Sequence, residues 1–162
     1  MASPSDVDSA RRRRREVNLV KLRLRELRLE LGTVNHLVGT RIDLKDSDLD
    51  ALDTVTRHGP LTPTALARRM GVHVATLTGI LNRLEAGGWI TRERATDDRR
   101  AVVVSGVAAR QAEVIHLYDG MNTALDDVLA HYSGAELAVI EDFLRRSTEA
   151  GRTAADGLAR ER

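Results

Sequence analysis

The sequence predicts a mostly α-helical chain with a small β-wing, on three observations. Apolar residues step by three and four over residues 17–38 and again over 107–128, the repeat of a helix face. Two short helical segments meet at Gly71, with small and apolar residues at the offsets of a helix-turn-helix. Directly after them, residues 89–94 and 101–104 are β-prone and flank the polar turn 95–100, which reads as a hairpin.

Taken in order, residues 1–15 read as a disordered basic arm, small and polar up to Ala10 and then five consecutive arginines. Residues 16–46 follow as a long helix and linker. Val17, Val20, Leu24, Leu27, Leu31, Val34 and Val38 form a heptad stripe, and Leu19, Leu22 and Leu29 widen it. Leucines that alternate between 22 and 31 also fit a strand. The intervening Arg and Glu are strong helix formers, and that decides for helix. Ser47 is the expected cap of the next helix, with Asp48 and Asp50 suited to its positive end and Leu49, Leu52 and Val55 on its buried side. Gly59-Pro60 ends it, and Thr62-Pro63 caps and opens another. A further helix covers roughly 74–86 and closes at Gly87-Gly88. Beyond the hairpin, Val107, Val114, Tyr118, Met121, Leu125 and Val128 form the second stripe. Ser133 with Glu136 is a capping box for the last helix. The expected organisation is therefore an arm at 1–15, a helix at 16–46, a lobe at 47–104 and helices at 105–162.

Composition sets outer bounds. The chain has 162 residues, 30 % charged and 2 % aromatic, with no cysteine. Thiolate metal sites and disulfides are thereby excluded. No apolar run approaches the length of a membrane span, and charges interrupt the leucines behind the arginines, so neither an anchor nor a secretory signal is expected. A cytoplasmic location follows as the expectation. The net charge of +1 conceals a basic middle beside an acidic tail, which suits an anionic partner for the middle. The histidines show neither an i, i+4 pair nor His-Glu-x-x-His, and no nucleophile elbow or phosphate-binding loop occurs. No metal, cofactor or enzymatic activity is expected.

The residues around Gly71 carry the functional reading. Ala67 is small enough for the helix crossing, and Leu66, Met70, Leu77 and Ile80 face inward. A helix-turn-helix followed at once by a hairpin is a winged helix, whose second helix enters the major groove while the wing reaches the neighbouring minor groove. Arg99 and Arg100 at the wing tip suit the strong negative potential of a narrow minor groove. Base reading falls to His73, Thr76 and Asn82, and Val74, Ala75 and Thr76 can touch thymine methyls. Gly79 has two readings, a close approach of the helix backbone to DNA or a simple weakening of the helix. Arg83 and Arg94 are expected to hold phosphates or brace the wing, and Asp98 to orient arginines. The two heptad stripes exceed what a small lobe can cover, so a second copy of the chain is expected on them. A fold-back of both arms into an intrachain bundle is the alternative.

The stretches HGPLTPTALARRMGV, TLTGILNRLEAGGWITRE and DDRRAVVV, within residues 49–104, resemble the MarR family of bacterial transcriptional regulators. The family's wing signature, Asp-x-Arg, stands here as Asp98-Arg99-Arg100. The resemblance implies a winged helix-turn-helix lobe with long N- and C-terminal dimerisation helices, a homodimer on double-stranded DNA at a pseudo-palindromic operator, and a repressor that a small molecule releases. His36 and His116 are the residues expected to border such an effector pocket. The chain departs from the family at the start of the recognition helix, where His73, Val74, Ala75 and Gly79 replace the common Ser-Arg-Pro pattern and its following basic residue. That departure supports a rival expectation, a winged-helix protein-interaction module or antirepressor with weak or nonspecific DNA binding. A third, weaker idea is a nonspecific DNA-compacting protein that uses the arginine arm.

Overall fold

The computed structural model describes residues 4–94 and 101–160, with seven helices and a two-stranded sheet among them. The chain divides into two compact units, residues 1–46 and 47–162.

The first unit is helix α1, Pro4–Arg41. Arginines 11–15 lie inside it, so the expected disordered arm is helical from Pro4 onward. Arginine is a strong helix former, and the stripe downstream has already met the cost of nucleation, so the helix propagates back through the run. Most of its apolar residues stay in solvent: Leu19, Leu22 and Leu29 are about half exposed, and Val17, Val20, Leu24, Leu27 and Leu31 only slightly less, whereas Val38 near its end is buried. After Arg41 the chain turns at Asp43, whose φ of 55° is left-handed. The His36 ring nitrogen Nδ1 lies 3.0 Å from Asp46 Oδ1.

The second unit holds the lobe. Helix α2 spans Asp46–His58, starting one residue before the expected cap. Ser47 does not cap it; its hydroxyl donates to Asp48 Oδ1 at 3.2 Å. Helix α3, Pro63–Met70, is capped by Thr62, whose hydroxyl accepts the Ala65 N–H at 3.2 Å, and it ends at Gly71. Gly71 has φ +66°, a conformation glycine reaches without the Cβ penalty. Its N–H and that of Val72 satisfy carbonyls of Arg68 and Ala67. Helix α4, Val74–Ala86, follows two residues later. Strands β1, Ile90–Arg94, and β2, Val102–Gly106, pair antiparallel with Ile90 opposite Gly106 and Arg94 opposite Val102. Leu61, between α2 and α3, adds a third edge through two backbone hydrogen bonds with Val104, at 3.1 and 2.8 Å.

The core is aliphatic, with one aromatic. Leu49, Leu52 and Val55 of α2, Leu66 and Ala67 of α3, and Leu77, Ile80, Leu81 and Leu84 of α4 are buried with Trp89, Ile90 and Val104. Ala67, 2 % exposed, gives α3 and α4 their close approach.

The second stripe is broken. Helix α5, Ala108–Leu117, and helix α6, Asp119–Leu129, meet at Tyr118, and neither contains a buried residue. The residue at the cap of α5 is Val107, which offers no side-chain bond. Other contacts fix that junction instead. The Val107 N–H donates to the Trp89 carbonyl, Gln111 donates to Thr56 Oγ1 at 2.9 Å, and the Arg110 guanidinium stacks 3.6 Å from the Trp89 ring centroid. Helix α7, Gly134–Arg160, opens with the expected capping box: the Ser133 N–H donates to Glu136 at 2.8 Å, and the Glu136 N–H to the Ser133 hydroxyl at 3.4 Å. No described helix is long and apolar enough to cross a membrane.

Candidate nucleic-acid interface

Helix α4 has two unlike faces. Leu77, Ile80, Leu81 and Leu84 seal one side into the core, while His73, Val74, Ala75, Thr76 and Thr78 are exposed at its N-terminal half. The same turn that buries Leu77 therefore presents residues 73–76 outward. His73 is the N-cap: its Nδ1 accepts the Ala75 N–H at 3.4 Å. That contact keeps the ring at the helix start and leaves Nε2 to face outward as a donor. Val74 is 45 % exposed, an apolar surface of the kind that suits a thymine methyl. Thr78 turns its hydroxyl back onto the Val74 carbonyl at 3.0 Å, so it presents its methyl.

Side chains farther along the lobe are tied to one another. Arg83 Nε donates to Asp48 Oδ2 at 2.8 Å and Nη2 to Oδ1 at 2.5 Å, a bidentate pair across 35 residues of sequence. The Asp48 carboxylate is buried, and the Arg83 side chain is 44 % exposed. This hydrogen bond, opposed by desolvation and reinforced by the charge of Asp48, raises the Arg83 pKa further. Arg83 thus braces α2 against α4 and has no bond to the wing strands among the described residues. Its remaining Nη1 lies over Gly79, 3.7 Å from where a Cβ would stand.

Arg92 of β1 performs the bracing that the sequence assigns to Arg83. Its Nη2 donates to Asn82 Oδ1 at 2.8 Å, and its Nε lies 3.5 Å from Glu85 Oε2. The side chain is three-quarters buried, so it joins the first wing strand to the C-terminal half of α4. Asn82 is consequently oriented toward β1. A bidentate grip on adenine would require its amide to leave this partner or share its oxygen. Neither Asp48 nor Arg92 stands out in the sequence, because a buried ion pair between distant segments has no periodic signature. In Asp48-Leu49-Asp50-Ala51-Leu52-Asp53 the sequence does not distinguish the buried aspartate from its exposed neighbours.

Arg94, the last described wing residue before the turn, is exposed at the end of β1. Asp98, Arg99 and Arg100 lie outside the described residues. His36 and His116 sit in the two separate units, each beside a carboxylate: His36 with Asp46, and His116 with Asp119 at 3.2 Å. Two surface hollows contain neither histidine. One is lined by Arg146, Glu149, Ala150, Thr153 and Ala154 of α7, the other by Asp127, Val128, His131 and Tyr132. No cluster of three metal-ligating side chains occurs among the described residues.

Comparison with known proteins bears on this geometry. The MarR family model matches residues 44–102, from the start of the lobe into the second wing strand. An HTH-type transcriptional regulator of Bacillus subtilis, YcgE, is 25 % identical over 142 residues, spanning 87 % of this chain and 92 % of that one. The B. subtilis HTH-type transcriptional repressor YetL is 32 % identical over 76 residues, covering 47 % of this chain and 46 % of its own. Among solved structures, a MarR family protein from Bacillus stearothermophilus superposes with a TM-score of 0.67 at 22 % identity, covering 85 % of this chain and 96 % of that one. A mutant MepR from a multidrug resistant S. aureus clinical isolate superposes with a TM-score of 0.71 at 15 % identity over 81 % and 96 % of the two chains. With the helix-turn-helix at Gly71 and the hairpin behind it in place, residues 44–102 match the MarR family of transcriptional regulators, and the chain shares the winged-helix fold of that family's solved members.

Proposed function

We propose that this chain is a homodimeric, sequence-specific repressor that a small-molecule effector releases from a pseudo-palindromic operator. The observation that carries the proposal is the division of α4, core-bound along Leu77, Ile80, Leu81 and Leu84 and open at residues 73–76. In the major groove, His73 and Thr76 read base edges, and Val74, Ala75 and Thr76 meet thymine methyls. Gly79 admits the backbone close to the duplex. Arg94 holds a phosphate, Arg99 and Arg100 enter the minor groove, and Asp98 orients them. Arg83 and Asn82 act one step back, fixing α4 through Asp48 and Arg92.

The dimer rests on separate grounds. Leu24, Leu27 and Leu31 of α1, Val128 of α6 and Val139, Phe143 and Leu144 of α7 are each at least 38 % exposed, more apolar surface than a lone chain leaves in water. Such faces on terminal helices suit a two-fold interface with a second copy. The name of YetL supports the repressing sense. His36 and His116 are assigned to the border of the effector site. Light scattering and mobility shift on the chain's own upstream region test this together. The proposal expects a dimer and salt-sensitive, sequence-selective retardation, weakened by Arg99→Ala with Arg100→Ala. A monomer that retards every duplex alike would overturn it.

A further inference from the structure

We propose that arginines 11–15 of α1 form a second phosphate-binding element that grips duplex DNA without regard to sequence. This rests on the DNA-binding role of the lobe, and it adds a contact that the helix-turn-helix and wing do not supply. The run is helical, so five successive side chains leave the axis at about 100° intervals and together cover its whole circumference. All five are exposed. Residues 6–28 carry nine basic against four acidic side chains, a net +5 on a protein whose total is +1. The ion pair in this segment is Arg23–Glu26, at 2.6 Å; the five arginines have no carboxylate partner among the described residues.

A guanidinium cluster with no carboxylate partner among the described residues suits an anion, and the spacing decides which kind. Residues 8–16 contain Ala10 as their one apolar side chain, so the arginines have no greasy face to lower into a bilayer. The apolar stripe of α1 begins at Val17, beyond the five arginines, and Lys21, Arg23, Arg25 and Arg28 are interspersed among its leucines. A cationic rod without an apolar side fits a polyphosphate backbone, where each neutralised phosphate releases counterions. It also suits a protein that the lobe already holds beside a duplex.

The test compares the full chain with a variant carrying glutamine at all five positions, since glutamine keeps helix propensity. The probe is a duplex of random sequence about 60 base pairs long, titrated between about 50 and 200 mM salt, with circular dichroism as the check on helix content. Each lost phosphate contact flattens the dependence of log affinity on log salt by about 0.9, so affinity changes about 3.5-fold less per contact across that range. At least two contacts per chain should disappear, a loss of about 12-fold in salt sensitivity. A variant with lysine at the five positions should retain the original slope. Equal slopes for the glutamine variant and the unchanged chain would overturn the inference. So would a lysine variant that behaves like the glutamine one, or loss of binding to anionic phosphatidylserine vesicles without any change on DNA. Failure of the unchanged chain to bind any duplex at the lowest salt would instead remove the DNA-binding role on which the inference stands.

Discussion

Removing Arg83 should cost more than removing both members of its ion pair. The structure sets the sizes. The Asp48 side chain is 3 % exposed, whereas Arg83 is 44 % exposed, so the two partners have unequal access to water. With Arg83→Leu, a desolvated carboxylate stays in the core beside Leu49, Ala51 and Leu52, and among the described residues only the Ser47 hydroxyl is left to satisfy it. Breaking a buried pair in this way costs about 3 kcal/mol. Adding Asp48→Leu removes the stranded charge and replaces it with apolar volume, which should recover about 2 kcal/mol of that loss. The residual deficit reflects the lost tether between α2 and α4 and the acidic residue in the first turn of α2, worth about 0.5 kcal/mol. For a chain of this length each kcal/mol moves Tm by about 2–4 °C, so Arg83→Leu should melt about 6–12 °C early and the double variant only about 2–4 °C early. Thermal unfolding at neutral pH followed by circular dichroism reads both. A double variant less stable than Arg83→Leu alone would refute the argument that Asp48 is the costly member.

Other outcomes follow from the same geometry. Gly71→Ala places a Cβ at φ +66° and should destabilise the lobe by about 1–2 kcal/mol in urea unfolding. Gly79→Ala should do the reverse, because its Cβ meets Arg83 Nη1 at an ordinary 3.7 Å and alanine gains about 1 kcal/mol of helix propensity; operator affinity should nonetheless fall where the methyl meets the duplex. Glu136 is held below its usual carboxylate range by the hydroxyl and backbone N–H of Ser133. Its folded value lies below the unfolded one, so the capping box stabilises α7 above about pH 4.5 and is lost as pH falls from there through the lowered value. Amide exchange at residues 133–137 should rise across that window, and Glu136→Gln should abolish the pH dependence. Leu27→Asp, in the exposed stripe of α1, should shift the light-scattering mass from two chains toward one.

The parts legible in the sequence are local. Thr62-Pro63, Gly71 and Gly87-Gly88 mark boundaries because a cap or a left-handed turn is specified within four residues, and the structure places helix ends there. The Ser133–Glu136 box is legible for the same reason. What escapes the sequence is nonlocal. The Leu61–Val104 bridge joins residues far apart in the chain, and nothing in either neighbourhood marks the other as its partner. Asn82 and Arg83 have the polarity and position of DNA-contacting residues, and only three-dimensional proximity reveals that Arg92 and Asp48 hold them. The arginine run misleads in another way. Its composition resembles that of a disordered arm, but continuity with a long helix overrides composition, since extending a helix costs far less than starting one.

The central claim, that residues 73–76 of a two-fold-related pair of α4 helices read bases, is tested most directly by selecting bound duplexes from a random-sequence pool. The account predicts enrichment of an inverted repeat with half-sites about 10 base pairs, or a multiple, apart, and a changed preference within each half-site for Thr76→Ala. Enrichment of no sequence, or of one that Thr76→Ala and His73→Ala leave unaltered, would contradict it.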